Sequence, residues 1–184
     1  MSGTTIGLSP RPDDDRINVL LVDDNEEWGE LTSNRIERAT EDIAVRIVES
    51  ANEAMVTLQE VADIDCLVVD YMMPRVTGLQ LLDRVREEHP QLPYLLITSE
   101  GSEDVAARAI DAGVTDYIVK DPSGDQTPLF VSRIRSAVEQ YRLRELLEES
   151  ETRCRTVIEQ SRDALVILQA GQVVFANRRL AEIT

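Results

Sequence analysis

Five short apolar runs, separated by stretches with helical spacing, constrain this chain more than any other feature. The runs are INVLLV at 17–22, IAVRIV at 43–48, CLVV at 66–69, YLLI at 94–97 and YIV at 117–119. Each is too short for a stable helix and long enough for a strand. CLVV has no polar alternation, so it fits a strand covered on both faces. Between the runs, Trp28, Leu31 and Ile36 predict a helix over 26–39, and Ala54, Leu58 and Val61 a second. Leu79, Leu82 and Val85 predict a third. Ser102 is placed to cap a fourth, with Glu103 and Asp104 in its first turn and Gly113 as its C-terminal stop. A long helix opens near Pro128, with Ile134, Val138 and Tyr141 toward the sheet. Strict alternation of strand and helix predicts an α/β fold, a doubly wound five-stranded parallel sheet with right-handed crossovers.

In such sheets ligands sit beyond the carboxyl ends of the strands, where the strand order reverses. Polar residues stand at four of those ends. Asp23 and Asp24 follow the first run, Asp70 the third, Thr98 the fourth and Lys120 the fifth. The strand order 2-1-3-4-5 is borrowed from flavodoxin-like folds; in it strands one and three are neighbours, and three carboxylates converge. Their repulsion calls for a cation, and oxygen-only donors suit Mg2+. A carboxylate can attack phosphorus to give an acyl phosphate, which makes Asp70 a candidate nucleophile. Thr98 can hydrogen-bond one phosphoryl oxygen, and Lys120 can neutralise another as a compact cation. Taken singly, each residue has a blander reading as a cap, a turn former or a solvated end. Their combination at the right strand ends is the specific signal. Lys120 adds weight because it is the only lysine; every other member of the 19 Lys+Arg is arginine.

VLLVDD at 19–24, DYMMPRVTGL at 70–79, LITS at 96–99 and DYIVK at 116–120 occur in that order. Over roughly residues 16–140 the chain thereby resembles the receiver domain of response regulators. The resemblance implies that Asp70 accepts phosphate from a histidine kinase or a histidine phosphotransfer protein. It implies that Asp24, Asp70 and the carbonyl of Met72 bind Mg2+ directly, with Asp23 reaching it through water. Thr98 would turn inward after phosphorylation and Tyr117, the switch aromatic, would follow. Pro74 and Gly78 would shape the loop after Asp70, and Ser99 would leave access for the phosphodonor. Output would pass to an attached domain or a downstream signalling protein. Two positions depart from the family. Asp121 stands where proline usually follows the lysine, with Pro122 one place later, and Glu100 lies where side chains influence attack by water. An aspartyl phosphatase is the competing reading, but such enzymes place a second aspartate two residues after the nucleophile, and Met72 stands there. A receiver-shaped module that is never phosphorylated is disfavoured by the complete acidic set. His89, the one histidine, lies in EEHPQ and reads as a loop residue. A kinase within these residues is therefore not expected, although a longer parent chain could carry one.

Beyond Tyr141 the sequence turns charged. Leu143, Leu147, Ser150, Cys154 and Val157 follow a 4-3-4-3 spacing. That is either a coiled-coil seam between two copies or a solvated linker helix with internal ion pairs. ALVILQ at 164–169, AG, and QVVFA at 172–176 then read as strand, turn and strand before a helix start. This segment resembles the opening of a PAS sensor domain, too little of it to close a core, which implies a truncated receiver–PAS protein. The expected organisation is a disordered leader at 1–15, a receiver at 16–140, a helical linker at 141–160 and a PAS fragment at 161–184. With 35 Asp+Glu against 19 Lys+Arg the net charge is −16. Such a surface repels nucleic acid phosphates. Acidic and poor in lysine, it suits a cytoplasm of molar salt and is expected of a halophilic, haloarchaeal source; the alternative is a GC-rich genome, which favours arginine codons but would not alone produce −16. No run is long enough to span a bilayer and the N-terminus lacks a secretory pattern, so a cytoplasmic protein is expected. Cys66 and Cys154 lie far apart and are expected as reduced thiols.

Overall fold

The computed structural model of the chain describes residues 16–99, 101, 103–121, 124–159, 166–169, 172–176 and 178–183. Five strands, β1 (Ile17–Val22), β2 (Ile43–Val48), β3 (Cys66–Asp70), β4 (Tyr94–Thr98) and β5 (Asp116–Val119), form one parallel sheet in the order β2-β1-β3-β4-β5. The helices α1 (Glu26–Ala39), α2 (Ala51–Glu60), α3 (Gly78–Glu88), α4 (Glu103–Ala112) and α5 (Thr127–Glu159) alternate with them. This is the doubly wound α/β architecture with the flavodoxin-like order and the long C-terminal helix.

The two-residue period of the strands divides the core into two layers. Leu20, Val22, Leu67, Val69, Tyr94 and Leu96 pack on one face with Ala54 and Leu58 of α2, Leu81, Leu82 and Val85 of α3, and Ala109 of α4. Val19, Leu21, Val68, Leu95 and Ile97 pack on the other with Ile36 of α1 and Phe130, Ile134 and Val138 of α5. Fully burying one such aliphatic side chain contributes roughly 1.5–3 kcal/mol. All five residues of β3 and of β4 are buried, which is why these strands read as continuous apolar runs.

Local signals set the helix ends. The Asn25 side chain accepts from the Trp28 N–H and caps α1, and Ser50 does the same for α2 through Glu53. Thr77 and Gln80 form a capping box at α3, a Thr-x-x-Gln pattern present in the sequence. Gly113 adopts φ +81° beyond the end of α4, the conformation that glycine takes at least cost. Three expectations shift. Leu31 is 48% exposed rather than part of the core face. The buried positions of α1 are instead Gly29, Thr32, Ser33 and Ile36, because the helix lies so close to β2 that a Cβ on Gly29 would stand 3.2 Å from Ile47 Cγ2. Val61 is the C-cap of α2, not a member of its face. His89 is the half-buried C-cap of α3, its N–H donating to the Val85 carbonyl. The Ser102 cap, Glu100, Pro122 and the leader at 1–15 lie outside the described residues.

The chain divides into two compact units, Met1–Tyr141 and Arg142–Thr184. The second holds the rest of α5, an antiparallel pair β6 (Val166–Gln169) and β7 (Gln172–Ala176), and α6 (Arg178–Ile183). Leu143 and Leu147 are exposed on the helix, at 61% and 58%. Intrahelical pairs Arg144–Glu148 and Arg153–Glu149 run beside them. The expected turn at AG, 170–171, and the side chain of Cys154 lie outside the described residues. Cys66 is a free, fully buried thiol that burial pushes well above the usual thiol range.

Candidate functional site

Each polar residue singled out at a strand end is carried there by the strand before it. Asp23 follows Val22 and its N–H donates to the Val48 carbonyl of β2 at 3.1 Å. Asp70 is the last residue of β3, in register with Ile97 of β4. Thr98 ends β4 opposite Val119, and the Lys120 N–H donates to the Thr98 carbonyl at 2.7 Å. The strand order then brings residues far apart in sequence to one edge. Asp23 is 1% exposed, Asp70 6% and Thr98 0%.

The Lys120 ammonium lies between the two buried carboxylates, 2.6 Å from Asp23 Oδ2 and 2.7 Å from Asp70 Oδ1. The remaining oxygens are also engaged. Asp23 Oδ1 accepts from the Asn25 N–H at 2.9 Å, and Asp70 Oδ2 from the Met72 N–H at 2.8 Å. Burial raises the Asp70 carboxyl above the ordinary aspartate range; the Lys120 hydrogen bond and charge oppose this, and the neighbouring Asp23 adds to it. Two of the three expected carboxylates therefore meet, bridged by Lys120. Asp24 is exposed, and among the described residues no three His, Cys, Asp or Glu are gathered as a metal site. The donor chemistry nonetheless fits a hard divalent ion. Two buried carboxylates held together, Asp24 next to Asp23 in the chain and the Met72 carbonyl are all oxygen donors, and each carboxylate oxygen keeps a second lone pair.

The loop after Asp70 is held tightly. A Cβ on Gly78 would stand 2.6 Å from the Asp70 carbonyl oxygen and 2.7 Å from Leu96 Cδ1, so only glycine fits without a shift. The buried Tyr94 hydroxyl donates to the Gly78 carbonyl at 2.6 Å, and the Gly78 N–H donates to the Tyr71 carbonyl at 3.0 Å. Tyr117 is half-buried against the α3–α4 side of the core; burial raises its phenol above the usual range, with Tyr71 nearby. The Tyr71 hydroxyl accepts from Arg108 of α4 at 3.2 Å. Met72 is 57% exposed.

Two contributors were not singled out as site residues from the sequence. Trp28, read as a core position of α1, places its ring under the Lys120 ammonium, 4.0 Å from Nζ to the centroid. Its being the lone tryptophan, four residues past Asp24, is a signal, but nothing in the sequence ties it to Lys120. Gln126 clamps the loop that lacks the usual proline after the lysine. Its Oε1 accepts from the Asp121 N–H at 2.7 Å and its Nε2 donates to the Val119 carbonyl at 2.8 Å, one residue to either side of Lys120.

Comparison with known proteins places this geometry. The sequence pattern of the response regulator receiver domain matches residues 19–130. The chemotaxis protein CheY homolog of Campylobacter jejuni is 32% identical over 106 residues, covering 56% of this chain and 81% of that protein. The phosphate regulon transcriptional regulatory protein PhoB of Rhizobium meliloti is 32% identical over 120 residues, 64% of this chain but only 50% of its own length. Among solved structures, the CheY-like receiver domain protein of Methanospirillum hungatei superposes with a TM-score of 0.61 at 21% identity, covering 70% of this chain and 98% of that one. At that identity the likeness speaks to the fold. The family match runs from within β1 into α5 and so reaches all five strands; this chain belongs to the response regulator receiver domains, the phosphoacceptor modules of two-component signalling.

Proposed function

We propose that Asp70 takes the phosphoryl group from a phosphohistidine, borne by a histidine kinase or a histidine phosphotransfer protein. The observation that carries this reading is the buried Asp70 carboxylate with the Lys120 ammonium 2.7 Å away. In the transfer an Asp70 oxygen bonds to phosphorus and the phosphorus–nitrogen bond breaks. The electron pair of that bond stays on the imidazole nitrogen; with a proton already on the ring's other nitrogen, the donor leaves as neutral histidine. A carboxylate made more basic by burial is a better nucleophile. Lys120 offers its point charge to one phosphoryl oxygen and the Thr98 hydroxyl donates to another, with Tyr117 following Thr98 as the switch. Asp23, Asp24, Asp70 and the Met72 carbonyl would hold Mg2+, which when bound offsets the repulsion between the carboxylates and an incoming phosphoryl group. Incubation with a small-molecule phosphodonor and Mg2+ is expected to add one phosphoryl group to the protein and none to Asp70→Asn. Equal labelling of the two by intact mass spectrometry refutes the assignment.

The receiver acts as a signalling phosphoacceptor rather than a turnover phosphatase, since Met72 leaves no general acid two residues after Asp70. Receiver domains work with histidine kinases and output domains. A PAS-type sensor segment at 161–184 is supported by the order β6, β7, α6 and would place such a domain next to the receiver. The exposed Leu143 and Leu147 support pairing of two copies along the distal half of α5, which sedimentation equilibrium decides. The net charge of −16 supports a halophilic origin and argues that these residues do not themselves hold nucleic acid. Some relatives are named transcriptional regulatory proteins, and there the match covers about half of each, 50% and 55%. No helix among the described residues is long and apolar enough to cross a membrane, which is compatible with the cytoplasmic setting we propose.

A further inference from the structure

We infer that Trp28 is a positioning residue for Lys120, holding the ammonium against Asp70 through the face of its indole ring. The inference rests on the reading of Asp70 as phosphoacceptor and adds to it a residue on α1.

Four contacts close a ring around the lysine. Asp23 Oδ2 binds the Lys120 ammonium at 2.6 Å, while its Oδ1 accepts from the Asn25 N–H at 2.9 Å. Asn25 in turn caps α1, its Oδ1 accepting from the Trp28 N–H at 3.0 Å. Trp28 returns to the lysine, with Nζ 4.0 Å from the ring centroid. The same aspartate that pairs with the ammonium thus also sets the start of the helix that carries the ring. The indole also meets the buried Phe130 of α5 edge-on, with centroids 6.2 Å apart and an interplanar angle of 65°. Phe130 lies one turn after Gln126, which spans the lysine loop. The ring therefore has a packing partner on α5, and the loop and the ring are both referred to the start of that helix.

A ring face attracts an ammonium through its quadrupole, and the attraction grows where water is excluded. The Lys120 side chain is 15% exposed, so it is largely withdrawn from solvent. An aliphatic side chain of similar size would fill the same space without the attraction. That difference separates positioning from packing. A long flexible lysine that loses the ring samples more rotamers and spends less time beside Asp70.

The composition supplies the measurement. Lys120 is the only lysine and Trp28 the only tryptophan, so lysine-selective isotope labelling yields one side-chain signal whose ring-current shift can arise from this tryptophan. In the intact chain without phosphodonor, the Lys120 methylene next to the ammonium is expected upfield of free lysine. Trp28→Leu should return it to the free position, and Trp28→Phe should retain part of the shift. Phosphorylation of Asp70 by a small-molecule donor with Mg2+ should slow roughly threefold in Trp28→Leu and recover in Trp28→Phe, as expected for loss and return of a cation–ring contact. Melting curves of both variants establish that the fold is kept. An unshifted lysine signal in the parent, or equal rates and shifts in the leucine and phenylalanine variants, overturns the inference and leaves Trp28 as packing. If Asp70 takes no phosphoryl group even in the parent, the phosphoacceptor reading fails, while the lysine signal still decides the contact.

Discussion

Replacing Lys120 by arginine keeps the charge and changes its shape. The ammonium fits between Asp23 Oδ2 and Asp70 Oδ1, 2.6 and 2.7 Å away, whereas a forked planar guanidinium needs more room. Lys120→Arg is expected to stay folded and to phosphorylate about tenfold more slowly, the cost of one displaced charge-assisted hydrogen bond. The phosphorylation-induced NMR shifts on β4 and β5 should shrink more than the rate does. Shifts identical to the parent's mean that the lysine plays no part in the switch. Gly78 is constrained from the opposite direction, by space rather than charge. A methyl group there meets the Asp70 carbonyl oxygen at 2.6 Å, and backbone cannot swing away as a side chain can. Gly78→Ala should therefore destabilise by roughly 1–3 kcal/mol, the usual cost of forcing extra volume into a packed site. Urea denaturation at fixed ionic strength reads it, and a midpoint equal to the parent's shows that the loop gives way more easily than the geometry indicates.

At the scale of elements, α5 is tied to the start of β2 by one clamp. Arg135 Nε and Nη2 donate to Asp42 Oδ2 and Oδ1 at 2.9 and 2.8 Å, and Nη2 also reaches Thr40 Oγ1 at 2.6 Å. The Thr40 hydroxyl donates to Asp42 as well. The Arg135 hydrogen bond holds the Asp42 carboxyl below its usual value of 3.8. A carboxyl whose pKa is lower folded than unfolded favours the folded state while it is ionised. That contribution is present above the unfolded pKa and fades as pH falls through the folded one. Asp42→Asn should accordingly be less stable than the parent at neutral pH, with the gap closing below pH 3.8. The pair is solvent-exposed, so the gap should also narrow in high salt. Paired urea titrations across that range check the sign; a gap constant with pH would mean that the charge of Asp42 contributes nothing.

The whole molecule carries a charge of −16 on 184 residues. Unscreened, such a surface disfavours the compact state. The Debye length falls from about 10 Å at 0.1 M salt to about 3 Å at 1 M, so repulsion between surface carboxylates is largely removed. Melting temperature is expected to rise by several degrees, about 1–2 kcal/mol of stability, on going from dilute buffer to molar KCl. A flat curve removes the halophilic reading without touching the fold, because the two core layers are uncharged.

How much of this was legible in the sequence follows from the distance over which each feature is decided. Strands β1, β3 and β4 were readable because burial on both faces leaves its mark within five or six residues, and the less buried edge strands β2 and β5 because each is still a short apolar run. Asp70, Thr98 and Lys120 could be placed at strand ends for the same reason, and the Gly113 stop because a left-handed residue needs no distant partner. The Thr77–Gln80 box was equally local and could have been read. The face of α1 was legible only in part. Ile36 is buried as expected, but Leu31 is exposed, and Gly29, Thr32 and Ser33 are buried in its stead, since the approach of β2 rewards small residues there. The alternation of strand and helix, and the residue types at the carboxyl ends, are written in local sequence. That Lys120 pairs with Asp23, 97 residues away, and that Trp28 lies beneath it come from the packing of the elements. Local propensity acts within a turn or a strand, whereas those contacts depend on the strand order, which no single segment encodes.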